Sequence, residues 1–159
     1  MKLRRTTPDD LPFLLETEQR FSELGFVHND NVCVHQKHMS DPDFAYYTVE
    51  EGDKPAGYII LRGLTSADCS VELKRIVIAE PGYGLGRKAL RALIDKVFCD
   101  FRALRLWLDV FEDNHRARHV YRSLGFVEEN SSGKRFDVGD RYRALVVMSM
   151  SEGRHRQSR

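Results

Sequence analysis

The 159-residue sequence has few cysteines, no long apolar run and no excess of charge of either sign. Its three cysteines, Cys33, Cys69 and Cys99, are odd in number and far apart, which excludes a disulfide framework and a paired-cysteine metal motif. No apolar stretch approaches the ~20 residues of a membrane span. Lys and Arg total 25 against 24 acidic residues, which argues against a nucleic-acid partner. We therefore expect a globular, cytoplasmic protein with neither a nucleic-acid nor a membrane partner.

The hydrophobic periodicity predicts one domain of mixed α/β (α+β) class. Its expected order is a strand, one or two helices, three strands, a helix, a strand, a helix and one or two closing strands. The early strands are predicted to be antiparallel, and a strand–helix–strand unit follows in the middle of the chain. We assign residues 1–150 to this domain and residues 151–159 to a polar flexible tail.

The strand "SVELKRIVI" (70–78) and the helix that follows it carry clear residue patterns. Simple alternation along the strand predicts two faces: Leu73, Arg75 and Val77 on one, and Glu72, Lys74, Ile76 and Ile78 on the other. The later helix carries an apolar stripe at helical spacing, formed by Leu90, Leu93, Ile94, Val97 and Phe98. Both elements are therefore expected to border the core.

Three alternating glycines stand between that strand and that helix, in "EPGYGLGRKAL". Glycines before a helix start let a phosphate approach the free backbone N–H groups without meeting a β-carbon. Arg87 and Lys88 add two cations in the first helical turn. A tight turn alone needs one glycine, so Gly82, Gly84 and Gly86 together favour a pyrophosphate site.

Two nucleotide-binding motifs compete for this turn. A P-loop requires Gly-Lys followed by Ser or Thr, and the sequence does not supply it. A dinucleotide fingerprint fits better, because Gly84, Gly86 and Ala89 match G-x-G-x-x-A and Asp109 ends the next strand. That unit usually opens its sheet, whereas here half of the chain precedes it, so a dinucleotide-binding protein stays the less favoured alternative.

A second motif follows about thirty residues later, in "NHRARHVYRSLGF". Its pattern N-x-x-A-x-x-x-Y-x-x-x-G-F is matched by Asn114, Ala117, Tyr121, Gly125 and Phe126. Together with the glycine turn, it resembles the GCN5-related N-acetyltransferase (GNAT) superfamily. The resemblance implies a mostly antiparallel sheet, flanked by helices and splayed at the coenzyme site. It departs from the family at Pro81, where members carry Arg or Gln.

The resemblance also implies an activity, namely transfer of an acetyl group from acetyl-CoA to a primary amine by direct attack on the thioester. Tyr121 is the expected general acid for the leaving thiolate, and Glu72 the expected general base. The expected coenzyme contacts are the strand residues Ile76, Val77 and Ile78, the turn and helix-start residues Gly82, Tyr83, Gly84, Leu85, Gly86, Arg87 and Lys88, and Asn114. Asn114 is also a candidate helix cap, and both roles can coexist.

No metal site is predicted. His115 and His119 have metal-ligand spacing on one helix, but the glutamate of H-E-x-x-H and a third ligand are missing, so we expect surface residues. His35 and His38 are equally compatible with a substrate cleft and with a short helix surface.

The acceptor is left open as a small-molecule amine or a protein amino group, and the assembly as a homodimer. Segments 20–42 and 128–140 are expected to face the substrate, and Asp109 and Glu112 are candidates to assist its amine. A binding module that senses acyl-CoA without turnover is the second function considered.

Overall fold

The computed structural model describes residues 1–25, 28–129, 135–138 and 141–158. The strands are β1 (Lys2–Arg5), β2 (Phe44–Glu51), β3 (Lys54–Arg62), β4 (Ser70–Ile78), β5 (Arg105–Phe111), β6 (Val127–Glu128), β7 (Arg135–Val138) and β8 (Arg141–Ser151). The helices are α1 (Leu11–Glu23), α2 (Val32–Met39), α3 (Leu85–Cys99), α4 (His115–Ser123) and α5 (Glu152–Gln157). The predicted order of elements is confirmed up to α4; after it the structure has three strands and a helix where one or two closing strands were expected.

The strands form one sheet in the order β1-β2-β3-β4-β5-β8-β6, with β7 also pairing with β8. Every pair is antiparallel except β4 and β5. The parallel ladder covers 70–72 and 105–107, and no later residues of the two described strands pair with each other. The sheet is therefore splayed beyond Glu72, as expected. A dinucleotide-binding fold requires a mostly parallel sheet, so that alternative is excluded.

The two faces of the sheet are covered differently. On one face, α3 and α4 cover a large apolar core, and the whole predicted stripe of α3 is buried there. On the other face, α1 and α2 cover a smaller cluster, in which Leu14 of α1 packs with Tyr46, Tyr58, Ile60 and Val77. Helix α1 begins after a short 3-10 turn, where the Thr7 N–H donates to the Asp10 carboxylate at 2.8 Å.

A β-bulge in β4 corrects the predicted faces of that strand. Ile60 pairs with Arg75 but the next residue, Leu61, pairs with Leu73, so Lys74 is an extra residue. An extra residue breaks simple alternation. Consequently Leu73 packs in the α3 core together with Ile76 and Ile78. Val77 packs instead with the cluster under α1.

The last residues also differ from the prediction. Instead of a loose tail, residues 152–157 form α5, capped by the Ser151 hydroxyl, which accepts from the Arg154 N–H. The His155 ring stacks on Phe98 of α3 with ring centroids 4.9 Å apart, and His155 is buried. One buried aromatic contact thus anchors a segment that is otherwise polar. Within the described residues, no helix is both long and apolar enough to cross a membrane.

Candidate active site

Helices α3 and α4 both begin just after the parallel strands end. β4 leads through the glycine turn into α3, and β5 leads through Asn114 into α4. Since β4 and β5 run in the same direction, the N-termini of both helices lie at one edge of the sheet, beside the splay. The two sequence motifs therefore meet at the mouth of the splay.

The glycine turn faces open space. Gly82 and Gly84 have φ of 122° and 74°, a region that side chains disfavour, and a β-carbon built on either would meet nothing within 4 Å. Gly86 has no such positive φ, and a β-carbon built on it would lie 3.4 Å from the Ile78 side chain, where α3 approaches β4. The turn thus leaves its backbone accessible to a ligand.

The side chains at the end of the turn are either buried in the core or exposed and positively charged. The Leu85 side chain is buried, so only the backbone of this residue can face a ligand. Arg87 and Lys88 are exposed, and neither makes an ion pair with a described residue. An anion at this helix start would thus meet both the helix dipole and two uncompensated cations.

The free edge of β4 offers further backbone groups. The Ala79 N–H donates to the Ala56 carbonyl at 2.8 Å, so it points towards β3. Hydrogen-bonding groups alternate in direction along a strand, so those of Val77 also face β3, its pairing partner being Tyr58. The N–H and C=O groups of Ile76 and Ile78 face the opposite edge, in the gap towards β5. Of the three residues expected to pair with an extended ligand, only Ile76 and Ile78 direct their backbone hydrogen-bonding groups into the gap.

The start of α4 is fixed by its cap. The Asn114 carboxamide oxygen accepts from the Ala117 N–H at 3.1 Å, which confirms the predicted cap. One turn after Ala117, the Tyr121 ring meets Phe126 edge to face and packs against the α3 core. Its hydroxyl takes no hydrogen bond from a described residue. Burial raises the pKa of Tyr121 to about 12, so the phenol stays protonated at neutral pH.

Glu72 lies on the other face of the sheet, at the last paired position before the splay. Its carboxylate is buried against Arg62, whose Nε and terminal nitrogen lie 2.6 and 2.5 Å from Oε2. The predicted general base is therefore already paired with a guanidinium.

These features agree with a family model. The model for the acetyltransferase (GNAT) family matches residues 10–126, which include the turn, Glu72 and Tyr121. The chain belongs to the GNAT family. The sequence-based prediction of an acetyl-CoA-dependent N-acetyltransferase is thereby confirmed.

Named relatives of this GNAT chain include polyamine enzymes. Spermidine N(1)-acetyltransferase of Escherichia coli (strain K12) is 25% identical over 156 residues, covering 93% of this chain and 84% of the relative. Spermine/spermidine N(1)-acetyltransferase of Bacillus subtilis is 28% identical, covering 79% and 87%. The crystal structure of Vibrio cholerae spermidine N-acetyltransferase with CoA and spermine superposes with a TM-score of 0.87 at 21% identity, covering 97% and 96%, and shares the fold.

A buried polar network, missed in the sequence, lies under α1 and α2 of this GNAT domain. Glu18 of α1 is fully buried. Its carboxylate accepts from Arg75 at 2.6 Å, from the Asp30 N–H at 2.7 Å and from the Tyr58 hydroxyl at 3.1 Å. The His35 Nε2 lies 3.0 Å from the same carboxylate. The network joins both helices to the bulged strand.

The electrostatics of this network centre on Glu18. Burial alone would raise the pKa of Glu18, but the approach of His35, the Asp30 N–H and the charge of Arg75 outweigh it, so the pKa lies below its usual value. Glu18, Asp30 and His35 could in principle hold a metal ion. The Arg75 guanidinium, 2.6 Å from Glu18 and 3.4 Å from Asp30, supplies the cation of this cluster instead.

A sequence signal for the network did exist. Glu18 continues the i, i+3, i+7 stripe begun by Leu11 and Leu14, and His35 stands at the buried position of α2. A charged residue within an apolar stripe requires a buried partner.

The remaining predicted site residues lie apart. Glu128 pairs with Arg118 and Arg122, and Glu129 pairs with Arg105, so these acids are not free for a substrate. Residues 130–134 and 139–140 of the expected substrate loop are outside the described residues. His115 and His119 are exposed on α4.

One surface hollow lies well away from the glycine turn. This hollow, of about 510 Å³, lies near the C-terminal end of α3, lined in part by Asp100 and Phe101. Because α3 has 15 residues, this hollow is about 20 Å from the turn and is no candidate for the coenzyme.

Proposed function

We propose that this chain acetylates a small primary amine, with its coenzyme and acceptor on opposite faces of the splayed sheet. The observation that carries the proposal is the glycine turn: its backbone is open and begins a helix, and it stands beside a free strand edge. We define the acceptor face as the side of the sheet under α1 and α2, with Glu72, Lys74, Trp107 and Asp109.

Binding of acetyl-CoA would use backbone groups first. The pyrophosphate fits the N–H groups of the turn 82–86, with Arg87 and Lys88 adding charge. The amides of the pantetheine arm would pair with Ile76 and Ile78 across the gap that β5 leaves. The Asn114 side chain, already engaged as a cap, is left with its amide N–H groups to offer.

The reaction moves protons at nitrogen and at sulfur. Glu72 takes one proton of the substrate ammonium through water and later releases it to solvent, while Arg62 holds its carboxylate in place. The neutral amine nitrogen then forms a bond to the thioester carbonyl carbon, and the carbon–sulfur bond breaks. The Tyr121 hydroxyl donates a proton to the departing sulfur, which its raised pKa and its free hydroxyl support. The second proton that nitrogen loses as the amide forms returns through water to the Tyr121 phenolate and restores the phenol.

The names of the relatives suggest which acceptor amines to assay first. The relatives from Escherichia coli and Bacillus subtilis are named for spermidine and spermine, so polyamines are the first acceptors to assay. The Vibrio cholerae enzyme has a dodecameric structure. The expected homodimer of this chain is a separate proposal, and its oligomeric state in solution has to be measured. A protein amino group remains the second acceptor class.

Replacing Tyr121 with Phe tests the proposal. We expect turnover to fall about 10²- to 10⁴-fold, since general acid catalysis is lost, while the affinity for CoA changes little. Thiol release measures the rate, and calorimetry measures the affinity. Tyr47→Phe is the matched control, because Tyr47 is a buried tyrosine of the same core cluster and takes no hydrogen bond through its hydroxyl from a described residue.

Two results would contradict this assignment. An unchanged rate in Tyr121→Phe removes the phenol from the mechanism. CoA binding without thiol release, for any amine, would favour the sensor module instead. Gly84→Val tests CoA binding itself, separately from catalysis. The valine strains the turn and blocks the approach of a phosphate to its backbone, so we expect a lower CoA affinity. Wild-type CoA affinity in this variant would contradict the phosphate site.

Glu72→Gln tests the base. We expect a loss of about 10²- to 10⁴-fold in kcat/KM near neutral pH, because general base catalysis is lost. Asp109→Asn is the companion variant, because Asp109 is the other carboxylate beside the splay. A larger loss in Asp109→Asn than in Glu72→Gln would transfer the role of base to Asp109.

A further inference from the structure

Most charges of the acceptor face are already matched. Each of its paired carboxylates has an arginine partner, and the pairs are Glu72–Arg62, Glu18–Arg75, Asp30–Arg75 and Asp113–Arg143. A polycationic substrate would therefore have to compete with guanidinium groups for these carboxylates. Ligand selection on this face therefore depends on the charged side chains that have no partner.

Lys74 is the unmatched cation. It is the extra residue of the bulge and is half-buried, yet it makes no hydrogen bond or ion pair with a described residue. Burial, followed by the charge of Arg75, lowers the pKa of Lys74. The charge of Lys74 in turn helps to lower the pKa of His38 on α2, behind the larger effect of burial. The carboxylates of Asp30 and Glu72 act on the Lys74 charge, but neither forms an ion pair with it, and both are already paired with arginines. The Lys74 ammonium therefore has no counter-ion in direct contact and can take an anion.

Asp109 is the unmatched carboxylate. Its Oδ1 is buried and takes no hydrogen bond in the part of the chain that is described. Leu108 and Val110 belong to the α3 core, so Asp109 between them faces the acceptor side. Buried carboxylate oxygens are normally hydrogen-bonded, which makes this one a candidate for a ligand N–H.

The register places these two residues across the splay from each other. Glu72 is paired with Trp107, and the strands are parallel. Lys74 and Asp109 each follow two residues later, on opposite sides of the gap where the strands separate. One cation and one anion thus flank the point at which the acceptor must meet the thioester.

We propose that the acceptor is a zwitterion: a primary amine that also carries a carboxylate, with its carboxylate at Lys74 and its amine at Asp109. The proposal rests on the proposed acetyl transfer and narrows its substrate class to amines of the amino-acid type. A polyamine has a second ammonium where the zwitterion has its carboxylate, and Lys74 would repel it.

The experiment compares acceptors that differ in one charge. Thiol release from acetyl-CoA is measured with a panel of amino acids, with the matching amino-acid amides, and with spermidine. We expect kcat/KM to be about 10- to 100-fold higher for the best acid than for its amide, the range for a charge-assisted contact, and higher for that acid than for spermidine.

Lys74→Met removes the charge and keeps much of the length of the side chain. We expect the acid-to-amide ratio of kcat/KM to fall to about one. Lys54→Met, at the exposed first residue of β3, is the matched control and should keep the wild-type ratio. Trp107, the one tryptophan of the chain, lies beside the splay, so its fluorescence reports binding of the acid and the amide without turnover.

The outcomes separate the two proposals. If spermidine is the better acceptor, or if the acid-to-amide ratio survives Lys74→Met, the zwitterion is wrong and acetyl transfer stands. If no amine on the panel releases thiol, both proposals fail. A ratio lost in Lys74→Met, with the Tm of the variant unchanged or raised, supports the zwitterion and excludes a merely structural role for Lys74.

Discussion

The two faces of the sheet are stabilised by different interactions. Under α3 and α4 the buried residues are nearly all apolar, and Leu93 and Val97 are completely inaccessible. Under α1 and α2 a small apolar cluster surrounds the carboxylate of Glu18, which binds Arg75, Tyr58 and the Asp30 backbone. The first face gains its stability from burial, which depends little on geometry, and the second from directional contacts.

This difference teaches where selectivity can reside. An apolar core tolerates substitutions of similar volume, so it supports the scaffold and the coenzyme edge of β4. A satisfied ionic network holds each member in one position, and it fixes Arg75 directly after the bulge that carries Lys74. We therefore expect small changes in sequence on the polar face, where the acceptor is proposed to bind, to alter the choice of acceptor.

Glu18→Gln is expected to have the largest effect on stability, because it removes the central charge of the polar face. The variant keeps the side-chain shape but leaves the Arg75 guanidinium buried without its main counter-charge. We expect the free energy of unfolding to fall by about 3–5 kcal/mol, as for other broken buried ion pairs, measured by urea denaturation.

Two further variants serve as controls for that loss. Leu93→Ala, on the apolar face, should cost about 2–5 kcal/mol through its cavity, with little dependence on pH. Glu18→Leu combined with Arg75→Met removes both charges and should recover much of the stability. If the double variant is as unstable as Glu18→Gln, the network is not held together by charge.

Asp10→Asn tests whether a second ion pair, at the start of α1, also depends on charge. The Asp10 carboxylate binds the Arg4 guanidinium through two contacts, at 2.7 and 2.8 Å. The Arg4 hydrogen bonds lower the pKa of Asp10 from 3.8 to about 2. Because the pKa is depressed by folding, its contribution is complete above the unfolded value and is lost as the pH falls through the folded one.

We therefore expect Asp10→Asn to cost about 2 kcal/mol at pH 7 and almost nothing at pH 2. Denaturation of both proteins across that pH range measures the difference. A gap between them that stays constant down to pH 2 would show that the amide, not the lost charge, destabilises the variant.

The fold, the glycine turn and the cap of α4 could largely be predicted from the sequence, because they depend on local patterns. The stripe of α3, the cap at Asn114 and the positive φ of Gly84 each follow from residues close together in the chain. The order of helices and strands then follows from the same periodicity.

The polar network under α1 and α2 could not be predicted in the same way, because its contacts are distant in sequence. Glu18 and Arg75 are 57 residues apart, and each alone resembles a solvated surface charge. The α5 helix was missed for a related reason: its one buried residue, His155, finds its partner Phe98 in another helix. The Arg62 partner of Glu72 is likewise visible only once β3 and β4 pair.

The single added residue in β4 changes the parity of every position that follows it. Upstream of Lys74 odd-numbered side chains enter the large core, and downstream even-numbered ones do. Roles carried over from a homologue to residues 75–78 therefore depend on whether its strand contains the same insertion. An alignment that places the gap elsewhere would exchange the inner and outer sides of the strand, although no residue in it looked misplaced.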